Sequence, residues 1–343
     1  MKIPRPALLI ILVLSACATK STQLPSTPTA SPTSTASPSP VPSPTPAPSG
    51  LCPPGKIGDF LIIGYLPDYR QINPDWGKCL TDIIYFSAEP QADGSLNTGR
   101  LNAGLLRNLQ EMQAQYGTRI LVSVGGWGRS DQFAAMTANT QSRSRFVQGL
   151  AKYIRENKLN GADLDWEFPQ SKAEFKNYIL LLEEIHADFQ PTGLVLSVAL
   201  SPDSEFPLED FNVVDRIHIM SYDRGPQHST YGQAARDLQT FLDAGLPRRK
   251  LILGVPFYGR RTEPPFNEST YTEIVGQFRP SPEVDEVNGI YFNGITTIQR
   301  KTCLAMNENI GGVMIWELGQ DTADDTSLLS AIRRTVNNGK CGG

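Results

Sequence analysis

A (β/α)8 barrel is the fold this sequence predicts, and three observations predict it. Eight short apolar runs recur between Phe60 and Leu318. Longer segments with helical spacing lie between them, so that runs and helices alternate over about 280 residues. No glycine-rich phosphate loop follows any run. A doubly wound open sheet is the structural alternative, but it rarely needs eight parallel strands.

In order, the runs are FLIIGYL (60–66), DIIYFS (82–87), RILVSVGG (119–126), GADLDWE (161–167), LVLSVAL (194–200), RIHIMSYD (216–223), LILGVPFYG (251–259) and GGVMIWEL (311–318). The segments EFKNYILLLEEIHADF (174–189) and QAARDLQTFLDAGL (233–246) carry the spacing of amphipathic helices. In the fourth run, Asp163, Asp165 and Glu167 are two residues apart. Alternation along a strand turns these three toward the barrel axis, and Ala162, Leu164 and Trp166 toward the helices. Trp166 is therefore read as packing. The acids climb toward the carboxyl rim, where barrel enzymes keep their chemistry.

Three carboxylates in a row repel, and ionising all of them costs several kcal/mol unless partners or protons intervene. Two acids that share a proton also push the third upward, which a general acid requires. A structural polar network inside the barrel is the alternative reading.

Ahead of the barrel, MKIPRPALLIILVLSAC has a basic start (Lys2, Arg5) and an apolar run, Ala7 to Leu14. That run is too short to span a bilayer and has the shape of a secretory signal over residues 1–16. Leu14-Ser15-Ala16-Cys17 resembles the lipobox of bacterial lipoproteins. The resemblance implies a lipidated Cys17 as the first mature residue; a plain signal peptide is the alternative. Ala18 behind it, rather than Asp, resembles an outer-membrane address. The expected location is the cell envelope, held to a membrane by lipid alone, with release to the medium as a variant.

Residues 21–50 carry no charge and almost nothing apolar. Such a segment cannot offset the entropy of ordering it, and its prolines favour extended chain. At ~3.1 Å per residue it reaches at most about 100 Å. Residues 17–50 are thus read as a stalk and 51–343 as one domain.

Removing the signal takes Lys2 and Arg5 from 31 basic residues, leaving 29 against 35 acidic, a net −6. With no basic run, nucleic acid is not an expected partner. His186, His218 and His228 form no metal-ligand spacing, and no cofactor is expected. His218 is read as filling the barrel interior under the acids, placed to tune a pKa. A monomer is expected.

Paired carboxylates in a cleft for an uncharged substrate suggest glycoside hydrolysis. An ordinary retaining glycosidase needs a second carboxylate across the sugar, roughly 5 Å from the acid. The seventh run ends GVPFYGR, with no acid before Glu263. The absent nucleophile points to a substrate that supplies its own.

On these residues the chain resembles the family 18 glycoside hydrolases, the chitinases and their relatives. NGADLDWE matches that family's fourth-strand acid motif, and SVGG (123–126) its third-strand motif. MSYD (220–223), GVPFYGR and Trp316 match its sixth, seventh and eighth strands in order. The resemblance implies that Glu167 protonates the leaving oxygen and then activates water. Asp165 orients the N-acetyl group and stabilises charge on its nitrogen, and Asp163 exchanges a proton with Asp165. Tyr222 hydrogen-bonds the acetamido group as its oxygen attacks the anomeric carbon, with Asp223 helping to hold it. Trp316 forms the floor under the reacting sugar, and Tyr65 and Trp127 line neighbouring subsites. Phe86, Gly126, Met220, Tyr258 and Arg260 complete the implied substrate-binding set.

Two departures stand out. The acid motif begins with Asn160 where the common form has Asp, a residue that supports Asp163, so a shifted pH profile is expected. Only about 30 residues, Arg261 to Ile290, follow strand seven before the next helix. That is too short for the α+β domain many chitinases insert there, and implies a shallow, open groove suited to internal cleavage.

Beyond Cys17, four cysteines permit three pairings. In the barrel, Cys52 precedes strand one and Cys79 strand two, while Cys303 falls on helix seven and Cys341 past helix eight. Pairs 52–79 and 303–341 are expected, with free buried thiols as the alternative. For function, hydrolysis of β-1,4-linked N-acetylglucosamine polymers or oligomers is the leading reading. The alternatives are the same mechanism on an N-glycan core or cell-wall glycan, and a non-catalytic surface lectin. The last of these typically loses the motif's Glu, which is present here as Glu167.

Overall fold

The computed structural model describes Cys52, residues 58–339 and Cys341. The expected signal segment, Cys17 and the stalk lie outside the described residues. Eight strands form the central sheet: β1 (Leu61–Pro67), β2 (Asp82–Pro90), β3 (Arg119–Gly125), β4 (Gly161–Asp165), β5 (Val195–Leu200), β6 (Arg216–Ile219), β7 (Leu251–Pro256) and β8 (Gly312–Trp316). Each is parallel to its neighbours, and β1 pairs with both β2 and β8, closing the ring. The predicted barrel is the observed one.

The helices are α1 (Ala103–Tyr116), α2 (Phe133–Thr137), α3 (Thr140–Glu156), α4 (Lys172–Phe189), α5 (Tyr231–Asp243), α6 (Tyr271–Phe278), α7 (Ile295–Asn307) and α8 (Leu328–Asn338). Their starts are written locally. Asn102 accepts from the backbone of Gly104 and Leu105, Ser171 from Glu174, and Thr230 forms a reciprocal box with Gln233. Two crossovers depart from strict alternation. Between β1 and β2 lies only a 3-10 turn, Pro74–Lys78, and between β5 and β6 only Leu208–Val213. Pro74 and Gly77 in the first link, and Pro202 and Pro207 in the second, interrupt any longer helix.

Side-chain alternation divides the core in two. Outward residues such as Ile62, Val122, Leu164 and Trp166 are buried against the helices, and Trp166 stacks on Phe133 at 5.1 Å. Inside the ring, Ile63, Tyr65, Ile84, Phe86, Leu121, Tyr222, Ile252 and Met314 form a smaller cluster. Buried among them are the polar Ser123, Asp163, Ser197 and His218.

After β7 the chain makes a small antiparallel sheet from Tyr258–Arg261, Glu268–Thr270, Ile290–Tyr291 and Glu286–Val287, with α6 beside it. No large domain is inserted there, as the segment's length requires. Both expected disulfides are present, Cys52–Cys79 and Cys303–Cys341, with Cα separations of 5.5 and 5.3 Å.

Candidate active site

The acid row is seated by register. Ser123 lies beside Asp163, and Gly125 beside Asp165, while Asp163 faces Ser197 on the other side. Gly125 and Gly126 have φ of +96° and +102°, and a Cβ at Gly125 would meet the Asp165 carbonyl at 2.3 Å. That close approach is the reason for the double glycine.

Asp163 is fully buried and well partnered. Ser197 Oγ donates to its Oδ1 at 2.6 Å and Tyr65 OH to its Oδ2 at 2.8 Å. His218 Nδ1 lies 3.2 Å from Oδ1 and 2.9 Å from the Tyr65 oxygen. Because the Tyr65 hydrogen goes to Asp163, the Tyr65 oxygen is left to accept from His218 Nδ1. Burial alone would raise the Asp163 carboxyl; the hydrogen bonds and charge of His218, with those from Ser197 and Tyr65, outweigh it and hold it below the usual range.

Asp165 is the opposite case. Burial first, then the charges of Glu167 and Asp163, push it well above the ordinary carboxyl. Its Oδ1 has no hydrogen-bond partner among the described residues. Burial pushes Glu167 up to about 7, against a hydrogen bond from the backbone of Trp127 and with help from the charge of Asp223. Near neutral pH the row therefore favours an ionised acid at the bottom and a protonated Asp165 above it, with Glu167 at the top close to its own midpoint.

Across the site, Tyr222 is nearly buried, and burial with the surrounding carboxylates keeps its phenol protonated. Asp223 has a left-handed backbone (φ 64°). Its Oδ1 accepts from Tyr258 OH at 2.6 Å and from Arg260 at 3.1 Å. Burial would raise it; His228, Tyr258 and Arg260 hold it below the usual range. Trp316 meets Phe86 edge-on at 5.0 Å and Tyr65 at 5.5 Å, and Trp127 stands 79% exposed on the rim.

Three expectations change. Tyr65, expected at a subsite, is 1% exposed, with its hydroxyl engaged beneath the acids. Phe86 and Tyr258 are likewise buried, one behind Trp316 and one under Asp223, so they support the lining. Asn160 does not touch Asp163: its Oδ1 accepts from Gln113 at 2.7 Å and from the Ile120 amide at 2.8 Å. The remaining set (Asp163, Asp165, Glu167, Gly126, Met220, Tyr222, Asp223, Arg260, Trp316 and Trp127) converges on the carboxyl rim of β3, β4, β6, β7 and β8.

Three residues of the network escape the sequence reading. Ser197 was an inward serine in an apolar run, and its parity was the available signal. Ser130 donates toward the Asp165 carbonyl at 3.0 Å and accepts from the Glu167 amide at 3.1 Å. Arg129 lies 4.8 Å over the Phe86 ring and pairs with Asp68 at 2.9 Å.

A closed parallel barrel with a raised carboxyl, Glu167, just past β4 and above two buried acids is the arrangement of a glycoside hydrolase. The chain belongs to the glycosyl hydrolases family 18, whose profile matches residues 61–321. It is similar to two curated Drosophila melanogaster proteins. One is "Probable chitinase 10", 25% identical over 60% of this chain and 12% of that protein. The other is "Probable chitinase 2", 24% identical over 59% of this chain and 56% of that protein. The chain thus spans about an eighth of the first and little more than half of the second. Among solved structures, a family 18 chitinase from Flavobacterium johnsoniae aligns with a TM-score of 0.72. It is 27% identical, over 81% of this chain and 94% of that one.

Proposed function

We propose that this protein hydrolyses β-1,4-linked N-acetylglucosamine polymers and oligomers, cutting within chains, by a retaining, substrate-assisted route. The observation that carries the reading is the split in the surroundings of the acid row. Asp163 is met by Ser197, Tyr65 and His218 and held low. Asp165 above it has an unpartnered Oδ1 among the described residues and, like Glu167, is pushed up by burial. Asp223, the carboxylate in the loop past β6 whose charge acts on Glu167, is held by Tyr258 and Arg260. It serves as a fixed charge, which leaves the acetamido oxygen of the sugar as nucleophile.

Glu167 gives its proton to the leaving oxygen as that acetamido oxygen closes on the anomeric carbon. The Tyr222 hydroxyl holds the attacking group. Positive charge develops on the acetamido nitrogen, and Asp165 meets it by passing its proton down to Asp163. Glu167, now a carboxylate, takes a proton from water, which opens the cyclic intermediate with net retention.

Internal cleavage is supported by the absence of a large domain after β7. Tyr69, Trp127, Phe168 and Phe266, the exposed large apolar side chains among the described residues, follow β1, β3, β4 and β7. All four lie on carboxyl-rim loops, as platforms for sugar rings would. The signal-like start, Cys17 and the proline-rich segment support export as a lipid-anchored protein, with the glycan as partner.

Hydrolysis of a fluorogenic chitotrioside, measured beside Glu167→Gln, tests the reading. Turnover abolished by the substitution is the expected result. A folded wild type that binds chitooligosaccharides and turns over none would overturn it.

A further inference from the structure

Tyr222 and Asp223 sit on the segment that leaves β6 and returns through Ser229 to the start of α5. Behind that segment lies a buried lysine. Lys301, on α7, is 0% exposed. Its Nζ contacts Ser229 O, Ser229 Oγ and Asn293 Oδ1, each at 2.7 Å.

Counting hydrogens fixes the direction of each contact. Ser229 Oγ has one hydrogen and gives it to the Ser221 carbonyl at 2.7 Å, so it must accept from Lys301. Asn293 donates its amide to Ser229 O at 2.8 Å, which turns its oxygen toward the lysine as an acceptor. All three hydrogens of an ammonium are therefore used, and a neutral amine would leave one acceptor unserved. Among the described residues no carboxylate touches Nζ; burial pulls the ammonium down to about 7, against the charges of Asp285 and Asp237. A buried ammonium without a touching counter-ion is costly, and an apolar side chain would fill the same place more cheaply.

The chain of contacts ends at the backbone next to Tyr222. The Ser221 carbonyl belongs to the peptide that carries the Tyr222 amide. The Ser221 side chain is held from α5, donating to Asp237 Oδ2 at 2.5 Å, and Asp237 also pairs with Arg224. The Ser221–Tyr222 peptide is thus clamped from two helices at once.

We infer that Lys301 is a positioning residue: through Ser229 it fixes the Tyr222 hydroxyl where the acetamido oxygen of the substrate closes on the anomeric carbon. The inference rests on the role given to Tyr222 above. Lys301 itself touches no group that lines the cleft.

Steady-state kinetics on chitooligosaccharides, with crystal structures, would test it on wild type, Lys301→Met and Ser229→Ala. Both variants are expected to lose about tenfold to about a hundredfold in kcat, with KM changed less than about twofold. Their crystal structures are expected to show the Tyr222 side chain displaced. A merely structural lysine would lower Tm and leave kcat per folded molecule unchanged, and that result would overturn the inference. Should Lys301→Met fail to fold, Ser229→Ala removes one oxygen from the relay and carries the test alone. A wild type without turnover would overturn the proposed function instead. The inference would then be decided by the crystal structure of Ser229→Ala, where an unmoved Tyr222 would sink it.

Discussion

Tyr65, on β1, donates its hydroxyl to Asp163, on β4, at 2.8 Å inside the barrel. The bond helps hold Asp163 below the usual carboxylate range, so the proton of the buried pair rests on Asp165. Tyr65→Phe removes that donor and leaves the ring. Asp163 then titrates higher, and the acid limb of the pH–rate profile is expected to move to higher pH, with kcat lowered about tenfold. An unmoved limb would mean that Asp163 is held by Ser197 and His218 alone.

The alkaline limb is expected to follow Glu167, the proposed general acid. Such a group must carry its proton, and burial pushes this one up to about 7. The rate is expected to fall about tenfold for each pH unit above that value. The profile of an activated aryl glycoside, whose acidic phenol departs as its anion and needs less protonation, should fall less steeply.

Glu167 also bears on stability. Its folded-state value lies above the ordinary 4.5, so the native state holds the proton more tightly than the unfolded chain. Stability is therefore lost as pH rises between those values, and the full cost is present above about 7. Glu167→Gln should abolish activity yet unfold at higher denaturant above pH 7, by up to about 3 kcal/mol. Equal stability of the two proteins at pH 8 would argue that the carboxyl is better solvated than its surroundings suggest.

Asn160→Asp restores the common family residue. A carboxylate oxygen can still accept from Gln113 and the Ile120 amide, and neither bond reaches Asp163. Activity and pH profile are expected to stay within about twofold of wild type. A displaced acid limb would show that charge at this position reaches the row through the strand.

The two disulfides join Cys52 to Cys79 ahead of β2, and α7 to the end of the chain past α8. Neither touches the acid row. Reduction is expected to remove about 2–4 kcal/mol per bond and lower Tm, with kcat at 25 °C unchanged. Thermal scans and initial rates with and without reductant separate these effects.

Much of this was legible because one rule, alternation along a strand, governs both the core and the site. It turned Asp163, Asp165 and Glu167 inward and sent Trp166 to the helices, and both placements hold. The same rule, applied to Asn160, puts it on the outer face with Ala162, where it meets Gln113 on α1. Motif identity suggested support for Asp163; parity already opposed it. Tyr65 was misplaced for another reason. Parity says inward but not how deep, and depth depends on strand stagger around the ring. The short links after β1 and β5 follow from prolines that the alternation of runs did not weigh.

Asp163, Ser197 and His218 have no exposed surface, and Tyr65 almost none. Bulk water meets the row only past Asp165 and Glu167. A sugar seated over those two turns the interior into a sealed cell with a fixed inventory of protons. During a turnover the groups beneath can only pass protons among themselves, and Glu167 alone trades one with the leaving group and with water.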